Sequence, residues 1–74
     1  MQTPDMVRMA NQIADFFKSY SEQEAIDGIA DHITKFWDPR MRTMFFIHMD
    51  AGGIDMSDLV KKAAVLVKRP KAAA

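Results

Sequence analysis

Apolar side chains recur at every third or fourth position in four successive stretches, and in no stretch do they alternate one by one. This spacing paints a stripe along one side of a helix and does not fit a half-buried strand. The stretches are separated by residues that halt helices: Ser21, the Asp38-Pro39 pair, and Gly52-Gly53. A serine or aspartate can cap a new helix, the residue before proline is pushed away from helical angles, and glycine accepts the left-handed conformation that ends a helix. The expected fold is all-α, a small single-domain bundle of four short helices over residues 1–74.

The expected helices cover about 4–20, 22–37, 39–50 and 56–69, with a frayed tail at 70–74. Thr3 is the expected cap of the first, with Pro4 in its opening turn. Its stripe is Met6, Ala10, Ile13, Ala14 and Phe17. Ser21 and Glu24 have the spacing of a capping box for the second helix, whose stripe is Ile26, Ile29, Ala30, Ile33, Phe36 and Trp37. The third has Met41, Met44, Phe45, His48 and Met49 on one face, while Phe46 and Ile47 point elsewhere. Phe46 and Ile47 are therefore expected to be more exposed than Phe45 and Met44. The fourth helix has Asp55 as expected cap, Ile54 and Leu59 as a hydrophobic staple, and Leu59, Val60, Ala63, Leu66 and Val67 as its stripe.

A chain of 74 residues without cysteine must stabilise one small core without disulfides or thiolate metal sites. A partner protein is one source of that stability. Ten acidic and ten basic residues cancel, which disfavours the electrostatic grip on phosphates that nucleic-acid binding requires. Lys61, Lys62, Lys68, Arg69 and Lys71 nevertheless crowd one end, so a small helical regulator binding nucleic acid through a basic fourth helix is the alternative. No apolar run approaches the 18 or so residues of a membrane span, and the start lacks the pattern of a signal peptide. No membrane contact is expected, and a cytoplasmic location is.

Residues able to do chemistry are few and scattered. His32 and His48 lie on different helices at the borders of apolar stripes, which fits rings that pack with a satisfied polar edge. Ser19, Ser21 and Ser57 stand at helix ends, and "AGG" lacks the lysine and further glycines of a phosphate loop. No catalytic residue, metal ligand or cofactor-binding residue is assigned. Trp37, Arg40 and Arg42 flank a sharp corner, and tryptophan and arginine are favoured interface anchors. A local role, including a contact of Arg42 with the Trp37 ring, and a docking role both remain open. With Phe46 and Ile47, these three make up the expected partner-binding set.

The stretches "RMANQIADFF", "AIDGIADHITKFWDPRMR" and "HMDAGG" resemble the delta subunit of soluble, molybdenum-containing, NAD-dependent formate dehydrogenases. The likeness covers residues 7 to about 67, and "HITKFWDPRMR" is its most specific part. It implies a non-catalytic accessory subunit without a cofactor of its own. The implied partners are a large subunit holding bis-molybdopterin guanine dinucleotide and iron-sulfur clusters, and flavin (FMN) and iron-sulfur subunits that deliver electrons to NAD. Such complexes interconvert formate and carbon dioxide in the cytoplasm, and the small subunit would support assembly, cofactor loading or stability. The match through "FWDPRMR" carries over Trp37, Asp38, Pro39, Arg40 and Arg42 as a structural and docking corner.

Overall fold

The computed structural model describes residues 2–70, and among them the chain is all-α, without strands. Its helices are α1 (Thr3–Phe17), α2 (Glu22–Phe36), α3 (Pro39–Asp50) and α4 (Asp58–Ala64). Each begins where local chemistry satisfies free backbone N–H groups. The Gln2 N–H donates to the Asp5 carboxylate over 3.3 Å, so α1 is capped one residue before the expected Thr3. The Ser21 hydroxyl accepts from the Glu24 N–H and donates to the Glu24 carboxylate. The Met41 N–H donates to the Asp38 carboxylate over 2.9 Å, with Pro39 in the first turn of α3. At the far end of α3, Gly53 N–H donates to His48 O and Gly52 N–H to Met49 O. With φ of +117° at Gly52, these bonds form a Schellman closure.

Two helices are shorter than their periodicity predicts. α1 ends at Phe17 instead of Tyr20, because Lys18 and Tyr20 N–H groups bond three residues back and tighten the chain into a turn. α4 covers only Asp58–Ala64, where 56–69 was expected. Ser57, not Asp55, caps it through the Val60 N–H. Asp55 instead takes a left-handed φ of +65° in the preceding loop, and Ile54 points outward at 70 % exposure, so the expected staple with Leu59 does not form. After Ala64 the Leu66 and Val67 N–H groups bond three residues back, ending the helix in a tight turn. Residues 71–74 of the expected tail lie outside the described residues.

The core gathers Met6, Ala10 and Ala14 from α1, Ile29 and Ile33 from α2, Phe45 from α3, and Val60 and Ala63 from α4. Val7, Ala30, Trp37, Phe46, Met56 and Val67 join it. Phe36 and Leu66, both placed on stripes by periodicity, are exposed instead. At the end of α2 the backbone of Trp37 becomes extended (φ −90°, ψ 131°), and its side chain is buried while that of Phe36, the last residue of the helix, stays outside. Leu66 lies beyond the end of α4, so the helical stripe no longer governs it.

The approach of α1 to α2 depends on Gly28. A methyl group built there would overlap the Phe17 ring, with the ring Cζ only 2.7 Å away. Overpacking of this kind costs about 1–3 kcal/mol, against about 1 kcal/mol gained by replacing a mid-helix glycine with alanine. Gly28→Ala should therefore lower the urea midpoint, whereas in a Phe17→Ala background the same change should stabilise by about 1 kcal/mol. A stabilising effect in both backgrounds would contradict the packing.

Candidate functional site

The corner after α2 is held by side chains whose backbone and ring contacts can be followed one by one. Trp37 is buried at 4 % exposure and meets Phe45 edge-on, with ring centroids 5.8 Å apart at 90°. Phe45 meets Phe46 at 5.2 Å and 70°. The Arg69 guanidinium lies over the Phe46 ring, 4.2 Å from its centre. Asp50 in turn accepts two hydrogen bonds from Arg69, at 3.1 and 3.3 Å. Arg42 does not stack on Trp37 as expected. Its Nε donates to the Trp37 carbonyl and its Nη1 to the Lys68 carbonyl over 2.9 Å, so it ties the corner to the segment after α4.

Phe46 corrects the expected exposure on α3. It is only 6 % exposed, close to the fully buried Phe45, whereas Ile47 is 66 % exposed and Met44 half-buried. The cause is the turn and extended segment after α4. Val67 enters the core while Arg42, Lys68 and Arg69 fasten this stretch against α3. A reading that continues α4 to residue 69 sends Lys68 and Arg69 into solvent and leaves Phe46 uncovered. Of the expected docking residues, Arg40 and Ile47 are exposed, Arg42 is half-buried and engaged, and Trp37 and Phe46 belong to the core.

The polar groups on the opposite side serve the loop between α3 and α4. Asn11 donates through Nδ2 to Asp55 O at 2.8 Å and accepts through Oδ1 from Ser57 N–H at 2.9 Å. His48 Nε2 lies 2.7 Å from Ile54 O. His32 packs against the Phe36 ring at 4.8 Å. Both histidines thus have structural partners, and among the described residues no three His, Cys, Asp or Glu side chains gather to hold a metal ion. The sequence reading missed Asn11. Its signal was a polar amide four residues after Val7 and three before Ala14, within a buried stripe.

An apolar opening lies between α1 and α2. Met9, Ile13, Phe16 and Phe17 line one wall, with Gln12 beside them, and His32 and Trp37 form the other side of a hollow of about 440 Å³. Phe16 is 68 % exposed and meets Phe17 edge-on at 5.0 Å, while Phe17 lies 5.5 Å from Tyr20. Phe36, 73 % exposed, extends the rim through its contact with His32. Single exposed apolar residues are ordinary, but here Phe16, Phe17 and Tyr20 form one aromatic cluster beside the hollow. Periodicity had placed Ile13, Phe17 and Phe36 on core stripes. Which part of such a stripe remains uncovered depends on where the neighbouring helices end.

The family model that describes the NADH-dependent formate dehydrogenase delta subunit, FdsD, matches residues 5–64. The chain belongs to the FdsD family. No curated protein and no solved structure matches it. In this FdsD chain the matched region runs from the first turn of α1 to the last residue of α4, and it includes both walls of the hollow and the Trp37 corner. No helix among its described residues is long and apolar enough to cross a membrane.

The Asp50–Arg69 pair allows a direct test of how the segment after α4 is fastened. Hydrogen bonding from Arg69 holds Asp50 below the ordinary carboxylate range, with the opposite charge adding to it. A lowered folded pKa stabilises the fold above the unfolded value of about 3.9 and loses that contribution as pH falls through the folded value. Asp50→Asn should therefore lower the urea midpoint near pH 6 and converge with wild type as the acid is protonated near pH 2. A constant difference across that range would contradict the ion pair.

Proposed function

We propose that this chain is a non-catalytic accessory subunit of an NAD-dependent formate dehydrogenase complex, supporting the assembly, cofactor loading or stability of its molybdenum-containing large subunit. The observation that carries this reading is the FdsD family match across residues 5–64. The way the chain uses its polar residues agrees with it. His48 and Asn11 hold a loop, Ser21 and Ser57 cap helices, and His32 packs on an aromatic ring. On this reading the bis-molybdopterin guanine dinucleotide, the iron-sulfur clusters, FMN and the NAD site belong to partner subunits, and the complex works in the cytoplasm.

The nucleic-acid alternative depended on a continuous basic fourth helix. α4 stops at Ala64, Lys62 pairs with Glu22 at 2.6 Å, and Arg69 pairs with Asp50. No specific observation favours that alternative.

The test is to produce the complex with and without this chain and to measure, on one preparation of each, subunit ratio, molybdenum content, thermal midpoint and activity per bound molybdenum. Without the chain, the complex should be poorer in assembled large subunit or in molybdenum, or should melt at a lower temperature. Its activity per bound molybdenum should stay near that of the complete complex. A fully assembled, fully loaded and equally stable enzyme whose turnover collapses when the chain is omitted would contradict the accessory role.

A further inference from the structure

The hollow between α1 and α2 differs from the rest of the surface in its charge. Asp, Glu, Lys and Arg make up 27 % of the chain, yet none of them lines this hollow. On α2, Asp31 and Lys35 pair with each other at 3.2 Å, and on α1 Arg8 and Asp15 line a separate, adjoining cleft. Besides the Trp37 indole, Gln12 and His32 are the polar side chains in the lining, and the His32 ring already packs at a tilt against Phe36. A charged side chain entering the hollow would lose hydration and meet no counter-charge. An uncharged apolar side chain would instead cover Phe16 and Phe36, which are 68 % and 73 % exposed.

We propose that this hollow is the docking groove for an amphipathic helix of a partner subunit, one that presents an uncharged row of large aliphatic or aromatic side chains at helical spacing. The proposal rests on the accessory-subunit reading, which supplies the partner, and adds the surface and the chemistry of what fills it. The walls themselves favour a helix. A strand needs backbone donors and acceptors along its edge, and α1 and α2 already use theirs within their own turns. A helix satisfies its own backbone and offers side chains at every third or fourth position.

The groove also has a built depth. Gly28 lets the Phe17 ring lie directly against α2, and Trp37, fixed against Phe45, closes the other end. Phe16 lines the hollow and Phe36 lies against His32 beside it, both exposed, so their substitution alters the docking face without opening the core.

The experiment co-expresses a tagged form of this chain with the remaining formate dehydrogenase subunits and measures the subunits retained per tagged chain. Phe16→Ser/Phe36→Ser should reduce retention by about tenfold or more, as loss of central aromatic anchors does, and the isolated variant should melt within a few degrees of wild type. Val65→Ser removes an apolar side chain that is 84 % exposed outside the groove, and it should be retained like wild type. A photoreactive phenylalanine analogue at position 16 should cross-link to one helical segment of a partner subunit whose cross-linked side is apolar and uncharged. If the double variant is retained as well as wild type, or the cross-link joins two copies of this chain or a charged segment, the groove proposal is overturned and the accessory reading stands. If the wild-type chain itself retains no other subunit, both fall.

Discussion

The edge-on contact between Trp37 and Phe45 is the interaction on which the rest of the structure depends. It lets α2 end and α3 begin within two residues without exposing the largest side chain of the chain. Aromatic pairs in this geometry contribute about 0.5–1.5 kcal/mol beyond the area they bury, and here one pair leads into a second through Phe46 and then into Arg69 and Asp50. This row joins the corner, both buried faces of α3 and the segment after α4 into one continuous contact. Arg42 strengthens the same junction through the carbonyls of Trp37 and Lys68. The corner residues most suggestive of an interface are therefore largely engaged within the fold, and Arg40 is the exposed exception.

Fixing Trp37 in this way also shapes the surface. With its indole against Phe45, one side of the ring forms the end of the α1–α2 hollow, and the chain leaves Phe36 outside. Gly28 sets the depth at the other end by admitting the Phe17 ring. The loop between α3 and α4 is constrained separately, by left-handed residues at Gly52, Gly53 and Asp55 and by hydrogen bonds to Asn11 and His48. Small domains bury a smaller fraction of their chain than large ones. In this one the exposed aromatic groups Phe16, Tyr20 and Phe36 lie on or near the α1–α2 hollow, which is the physical basis for assigning that face to a partner of the proposed complex.

Much of the fold was legible because its signals are local. Ser21 with Glu24, Asp38 with Pro39, and Gly52 with Gly53 each act within a few residues, and they mark the start or end of a helix in both sequence and structure. The errors arose where distant contacts decide. Asp55 was the expected cap for α4, but the clasp of Asn11, more than forty residues earlier, holds the loop so that Ser57 takes that role. Phe46 was expected outside because its cover comes from a segment that periodicity extends as helix. Phe36 was expected inside because the same periodicity ignores the extended backbone at Trp37. The resemblance to formate dehydrogenase delta subunits rested on short contiguous stretches, and the family match bears it out. The hollow was not legible, because a helical stripe says which residues are apolar and not which of them a neighbour will cover.

Hydrogen exchange, measured residue by residue on the isolated chain and on the same chain within the formate dehydrogenase complex, tests the central claim most directly. Occupation of the groove predicts slower exchange in the complex along the second half of α1, the turn that follows it and α2, with little change at Val65 and Leu66. Equal exchange in the two states, or protection confined to α4 and the segment after it, would contradict it.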